Sequence, residues 1–417
     1  MTRTLNGICN ARLSGQSGLC RLTFEDGKFR AIENQSHRVE PTEGELDAGG
    51  NLVVPPLVEP HIHLDAALTA GQPRWNRSGT LFEGIECWSE RKSSLTQEDV
   101  RKRVLDTLEM FGRHGIQYVR THVDVTDPQL TALKAMIDLR DQVKGFIDLQ
   151  IVAFPQEGIL SYPGGRELME QAVEVGADVI GGIPHFEFTR DYGVESVKWL
   201  LQLAHRNDLL VDVHCDEIDD PASRFLEVLA AEALKLDYGN RVTASHTCAM
   251  HSYNNAYCSK LFRLLKMAGL RFVSLPTENL HLQGRFDGYP KIRGVTRVPE
   301  LLDAGLSVAF GQDSIRDPWY PMGNGNLLRT LDAGLHACHM LGMNRIEKSL
   351  ELITDNGARA LNLEDYSIAS GHPARCVVLQ GESPYEVLLN QSPALASVRD
   401  GKLLLKREPA RETWSTE

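Results

Sequence analysis

The sequence predicts an α/β protein: a (β/α)8 TIM barrel flanked by a small β-sandwich that the N- and C-terminal segments build together. Two observations carry this. Eight short apolar runs recur along the middle of the chain, each closing on polar residues: LVVPPLVEPHIH, IQYVRTHVDV, DLQIVAFPQE, ADVIGGIPHFE, LLVDVHCDE, RVTASHTCA, RFVSLPTEN and LSVAFGQDS. Helix-compatible stretches, such as residues 95–115 and 194–208, lie between most of them. Eight strand–helix units in one chain are the pattern of a closed parallel barrel. The second observation is that both ends of the chain break this alternation and carry hairpin signals instead.

Taken in order, residues 1–56 contain LCRLTFEDGKFRAIE, two strand-like runs around Asp26-Gly27, a dipeptide suited to a two-residue hairpin turn. Residues 57–365 are read as the barrel. Within it, Thr96 and Asp99 make a capping-box start for the helix expected over 95–115, and Gly115 makes its stop. Residues 366–417 return to β structure with ARCVVLQG and ASVRDGKLLLK, the latter turning at Asp400-Gly401. No repeat appears beyond the β/α alternation.

Composition narrows the function. The 417 residues are 42% hydrophobic and 24% charged, enough apolar material for a large core. The formal net charge is −12 and basic residues form only short pairs such as Lys406-Arg407, which argues against a nucleic-acid partner and for small molecules. No run approaches 18 apolar residues, so no membrane span is expected. The opening MTRTLNGICNARL is neither a signal nor a transit peptide, and the eight cysteines form no CxxC; a cytoplasmic protein with reduced thiols is expected.

The first apolar run ends in EPHIHLD, with His61 and His63 one residue apart. Alternate residues of a strand share a face, so both imidazoles can reach one metal ion, or can simply be hydrogen-bonded at a strand end. Other strand ends extend the set: His214 in VDVHCDE, His246 in TASHT and Asp313 in FGQDS. Each has an ordinary alternative, a core histidine for His246 and a helix cap for Asp313. Five metal-compatible side chains at matching ends of four strands are poorly explained as separate accidents.

The same residues sit in longer motifs. VEPHIHLD, AGQPRWN, SGTLFEGIE, IVAFPQEGILSYP, IPHFEFTR, DVHCDEIDD, TASHT, HLQGRFD and DPWYP are similar to the bacterial cytosine deaminase family of the amidohydrolase superfamily, over nearly the whole chain. The resemblance implies a homo-oligomeric deaminase with one divalent metal ion per subunit, Fe2+ or Zn2+. By position, His61, His63, His214 and Asp313 match its metal ligands, and Glu217 and His246 match the catalytic residues beside the metal. Asp313 or His246 would take the proton of the activated water. Dinuclear members carry a bridging modified lysine at the fourth strand; here ADVIGGIPHFE ends at His185 without one, which favours a single ion. His122 and His185 are expected in structural or supporting roles.

For the substrate, Gln156 offers one donor and one acceptor to the amide-like edge of a pyrimidine, and its family position is a substrate contact. The backbone at Leu81 faces the substrate by the same resemblance. Phe154 and Trp319 are candidates to sandwich the ring, with core packing the alternative for each. The chain departs from the family in two places, Gln312-Asp313-Ser314 where His-Asp-Asp is expected, and Thr277-Glu278 in place of an apolar or amide pair. The resemblance places Ser314 toward C5 of the pyrimidine, where loss of a carboxylate would admit a substituent. The expected activity is therefore deamination of cytosine and 5-substituted cytosines such as 5-methylcytosine. Competing readings are deamination of isoguanine or a triazine, hydrolysis of a cyclic amide, and a catalytically dead barrel.

Overall fold

A computed structural model describes residues 3–408 and 413–415. Eight parallel strands run in sequence order: β1 Leu57–Ile62, β2 Ile116–Asp124, β3 Asp148–Phe154, β4 Val179–Gly182, β5 Leu210–Cys215, β6 Val242–His246, β7 Arg271–Ser274 and β8 Val308–Phe310. The barrel closes just beyond the ends of β1 and β8. There the Asp313 amide donates to the His61 carbonyl (2.9 Å) and the His63 amide to the Asp313 carbonyl (2.9 Å). The seam thus lies at the predicted site. Gln312 reinforces it, because its amide nitrogen donates to Glu59 Oε2 on β1 (2.8 Å).

Period-two alternation sorts each strand. Val211 and Val213 of β5 pack outward into the main apolar core, as do Val119 and Val123 of β2, while Asp212, His214 and Arg120 face inward. The interior therefore holds a polar layer. Arg120 is fully buried and donates to Asp212 Oδ2 (2.8 Å), Gln150 Oε1 (2.7 Å) and the Ala360 carbonyl (2.7 Å).

The expected helices are present with shifted ends. The first runs Gln97–Arg113, capped by Thr96, whose Oγ1 accepts from the Asp99 amide (3.2 Å). The second runs Arg190–Arg206 and starts earlier than expected, because Thr189 caps it by accepting from the Tyr192 amide. Thr96→Ala is expected to lower stability by about 1 kcal/mol, as for other lost N-caps. A denaturant midpoint measured at unchanged slope checks it.

The chain ends form one mixed sheet of eight strands, bent around its own apolar core of Ile8, Leu22, Phe29, Val53, Cys376 and Val398. Both hairpin dipeptides turn as expected, with positive φ at Asp26 (50°), Gly27 (74°), Asp400 (50°) and Gly401 (71°). The run LVVPPLVEPHIH is not one strand. Leu52–Val54 belongs to the terminal sheet and Leu57–Ile62 to the barrel, with Pro55 and Pro56 between them, since proline has no N–H to give a ladder. Among the described residues, no helix is long and apolar enough to cross a membrane, and all eight cysteines are free.

Candidate active site

His61 lies in β1, whereas His63 sits in the turn just past it, so the seam hydrogen bonds rather than the strand pleat fix His63. The imidazole Nε2 atoms of both approach His214 Nε2, at 3.2 Å from His61 and 3.1 Å from His63. Asp313 Oδ1 stands 3.4 Å from each of the first two. Asp313 itself is held at φ 68°, a left-handed conformation unusual for a non-glycine residue and frequent at functional sites.

A chain of hydrogen bonds sets the tautomer of His61. Ser245 Oγ donates to Asp212 Oδ1 (2.6 Å), and His61 Nδ1 lies 3.0 Å from Ser245 Oγ. The Ser245 hydroxyl has spent its proton, so His61 Nδ1–H must donate, and the Nε2 lone pair faces the cluster. Burial keeps the imidazoles neutral: it drives His61 and His214 well below the ordinary histidine range and His63 down to about 4. Neutral imidazole nitrogens converging on a carboxylate at these distances are a donor set that fits a divalent metal ion. His246 is a geometric rival to His63: a ring nitrogen of His246 lies within 4.8 Å of donor atoms of His61, His214 and Asp313, a group that does not include His63. His246 Nε2 is farther from the carboxylate, 3.8 Å from Asp313 Oδ2. A second convergence, of His61, His122 and Asp212, lies behind His61. There Asp212 is already paired with Arg120, and the His122 ring stacks on His61 with centroids 3.7 Å apart.

Glu217 reaches the site through a built loop. Asp216 turns the chain at φ 53°, and its carboxylate accepts from Ser223 Oγ (2.6 Å) and from the amides of Phe225 and Leu226 (2.9 Å each). With that loop anchored, Glu217 Oε1 lies 3.2 Å from His246 Nδ1. Burial, helped by the Asp313 charge, raises the Glu217 carboxyl well above the usual range, so its acid form persists. Asn279 Nδ2 donates to the same His246 Nδ1 (3.1 Å), which puts the ring proton on Nε2, the side of Asp313.

Between these groups lies a small cavity lined by His63, Leu81, Gln156, Glu217, Ser314 and Trp319 among others. Gly84 lets Trp319 take its place, since a Cβ there would overlap the indole. Phe154 does not line the cavity. It is fully buried and stacks on His214 (4.1 Å, 21° between planes), so it orients a histidine from behind instead of sandwiching a substrate. The reason is its place at the very end of β3, level with the histidines and below the cavity floor.

Sequence reasoning did not find the partners behind the histidines, Asp212, Ser245 and Asn279. A signal existed for Asp212, which precedes His214 by two residues and so shares its face. Glu278, noted only as a departure, proves to be buried and to line the cavity.

Comparisons with known proteins agree with this geometry. A profile described as the amidohydrolase family matches residues 44–416. An N-isopropylammelide isopropyl amidohydrolase of Pseudomonas sp. is 30% identical over 409 residues, 96% of this chain and 97% of that one. A 5-methylcytosine deaminase from Klebsiella pneumoniae, solved with 5-fluorocytosine, is 60% identical and superposes with a TM-score of 0.97 over 98% of this chain and 99% of that one. The same deaminase has been solved with phosphonocytosine. A match over most of the chain, with relatives this similar along their full length, makes the chain a member of the amidohydrolase family.

Proposed function

We propose that the chain is a metal-dependent hydrolytic deaminase of cytosine-type bases. It converts cytosine to uracil, and 5-methylcytosine to thymine, with release of ammonia. The observation that carries this is Glu217, a buried carboxyl kept in its acid form, sharing one cavity with the converging donors. The substrate follows from the 60% identity to a 5-methylcytosine deaminase. Free thiols and the acidic charge fit an enzyme of the cytoplasm acting on free bases.

His61, His63, His214 and Asp313 would hold one Fe2+ or Zn2+ per chain. When bound, such an ion supplies Lewis acidity that lowers the pKa of water from about 15.7 toward about 7. The chain does the rest. Gln156 pairs with the amide-like edge of the base and fixes C4 toward the histidines. Glu217 gives its proton to the ring nitrogen beside C4 as the water oxygen adds to that carbon. Asp313 takes the proton that the water loses, with the Nε2–H of His246 facing it. Return of that proton to the exocyclic nitrogen lets the C4–N bond break while the C4 hydroxyl gives its proton back to Glu217, and the products are the oxo base and ammonia.

Metal-loaded protein incubated with cytosine and 5-methylcytosine should release ammonia with uracil and thymine. Absence of ammonia from both bases would remove the reading. The mononuclear site makes a second prediction. Saturated protein should hold about one equivalent of metal, and His61→Ala should lose it; two tightly held ions with a bridging ligand would refute this.

A further inference from the structure

Ser314 stands between two cavities. On one side is the active-site cavity; on the other is a smaller one whose walls include Thr277, Gln312, Tyr320, Asn326, Arg329 and Thr330. Beside Ser314 lie two buried carboxyls, Glu278 and Asp317. Glu278 is only 1% exposed and lines the active-site cavity. The Ser314 hydroxyl faces both Glu278 and Asp317 and has one proton to give, so at least one Glu278 oxygen is left without a donor among the described residues. Asp317 accepts from the amides of Trp319 and Tyr320 through Oδ1, while its Oδ2 is likewise unpartnered. Buried polar atoms are nearly always paired, so a carboxyl at a ligand cavity with an oxygen left unmet points to the ligand.

We propose that Glu278 determines specificity at the 5-position. The substrates then include cytosines whose 5-substituent ends in a hydrogen-bond donor, of which 5-hydroxymethylcytosine is the simplest. This rests on reading the site as a cytosine-type deaminase with Ser314 toward C5. A methyl group there fills space but gives Glu278 no donor. A hydroxymethyl group donates to Glu278 and accepts from the Ser314 hydroxyl, on the side where Ser314 borders the second, polar cavity. The chemistry at C4 is unchanged: water enters, ammonia leaves, and 5-hydroxymethyluracil is the product.

The test measures kcat/KM for 5-hydroxymethylcytosine and 5-methylcytosine with metal-loaded wild type, Glu278→Leu and Glu278→Gln. Wild type should turn over the hydroxymethyl base at least as well as the methyl base. Glu278→Leu should lower the hydroxymethyl-to-methyl ratio by about tenfold or more, as sites built to pair a substrate hydroxyl do when the pair is lost. Glu278→Gln, which still donates and accepts, should keep most of the ratio. Turnover of 5-methylcytosine with rejection of the hydroxymethyl base, or an equal loss on both in Glu278→Leu, overturns this inference and leaves the deaminase reading standing. If no cytosine base releases ammonia, both fall. Should Glu278→Leu not fold, binding of 5-hydroxymethyluracil against thymine to wild type decides, and weaker binding of the hydroxylated product overturns the proposal.

Discussion

Glu217→Gln is expected to lower turnover by about 10²-fold or more while the fold and the metal content survive, in line with general acid–base contributions. The side chain is buried, lies 3.2 Å from His246 Nδ1, and faces the cavity in which the base would sit. Glutamine keeps the shape and can still accept from a neighbour, but it cannot deliver a proton to the ring nitrogen. The fall should appear in kcat as well as kcat/KM, since the proton is needed only as the transition state forms. Metal content and melting temperature serve as controls, because the Asp216-anchored loop does not depend on the Glu217 charge. Near-normal turnover would move the acid role to another group, His246 first.

Much of this site was legible because barrel strands place chemistry at a fixed end. Reading polar residues at the close of each apolar run was enough to bring His61, His63, His214, His246 and Asp313 together, and the structure sets them within a few ångströms of one another. The hairpins at Asp26-Gly27 and Asp400-Gly401 were legible for a local reason, the positive φ that both turns need. What stayed hidden depends on depth within the barrel. Phe154 and Gln156 are two residues apart, yet one packs beneath His214 and the other opens into the cavity. No periodicity distinguishes the last buried level of a strand from the first open one. Ser245 was hidden for a different reason: its role comes from Asp212 on the neighbouring strand, a pairing that only the register of β5 and β6 reveals. Glu278 follows β7 on a helical segment of seven residues, Pro276–Leu282, where neither strand nor helix periodicity marks which side meets the cavity.

Ser314→Asp is expected to depress 5-methylcytosine more than cytosine. Ser314 lines the cavity beside Asp313, and its short side chain leaves space where a carboxylate would project. Burying one methyl group in that space is worth about 0.8 kcal/mol. Pockets that discriminate a single methylene do so by roughly 1–3 kcal/mol, or about 10–200-fold. The change in kcat/KM ratio between the two bases should fall in that range, with most of the loss on the methylated one. The new carboxyl would also join Glu278 and Asp317 as a third acidic group around one point, close to Asp313. Like charges at such distances in a buried site are unfavourable, so some loss of stability and of overall rate is expected from the substitution itself. That loss falls on both substrates alike, because both are measured on the same folded, metal-loaded enzyme. The ratio is therefore the quantity that reports on C5, and the absolute rates are not. An equal fall on the two bases would mean that Ser314 does not face the 5-position, and the preference for substituted cytosines would then have to arise from another wall of the cavity.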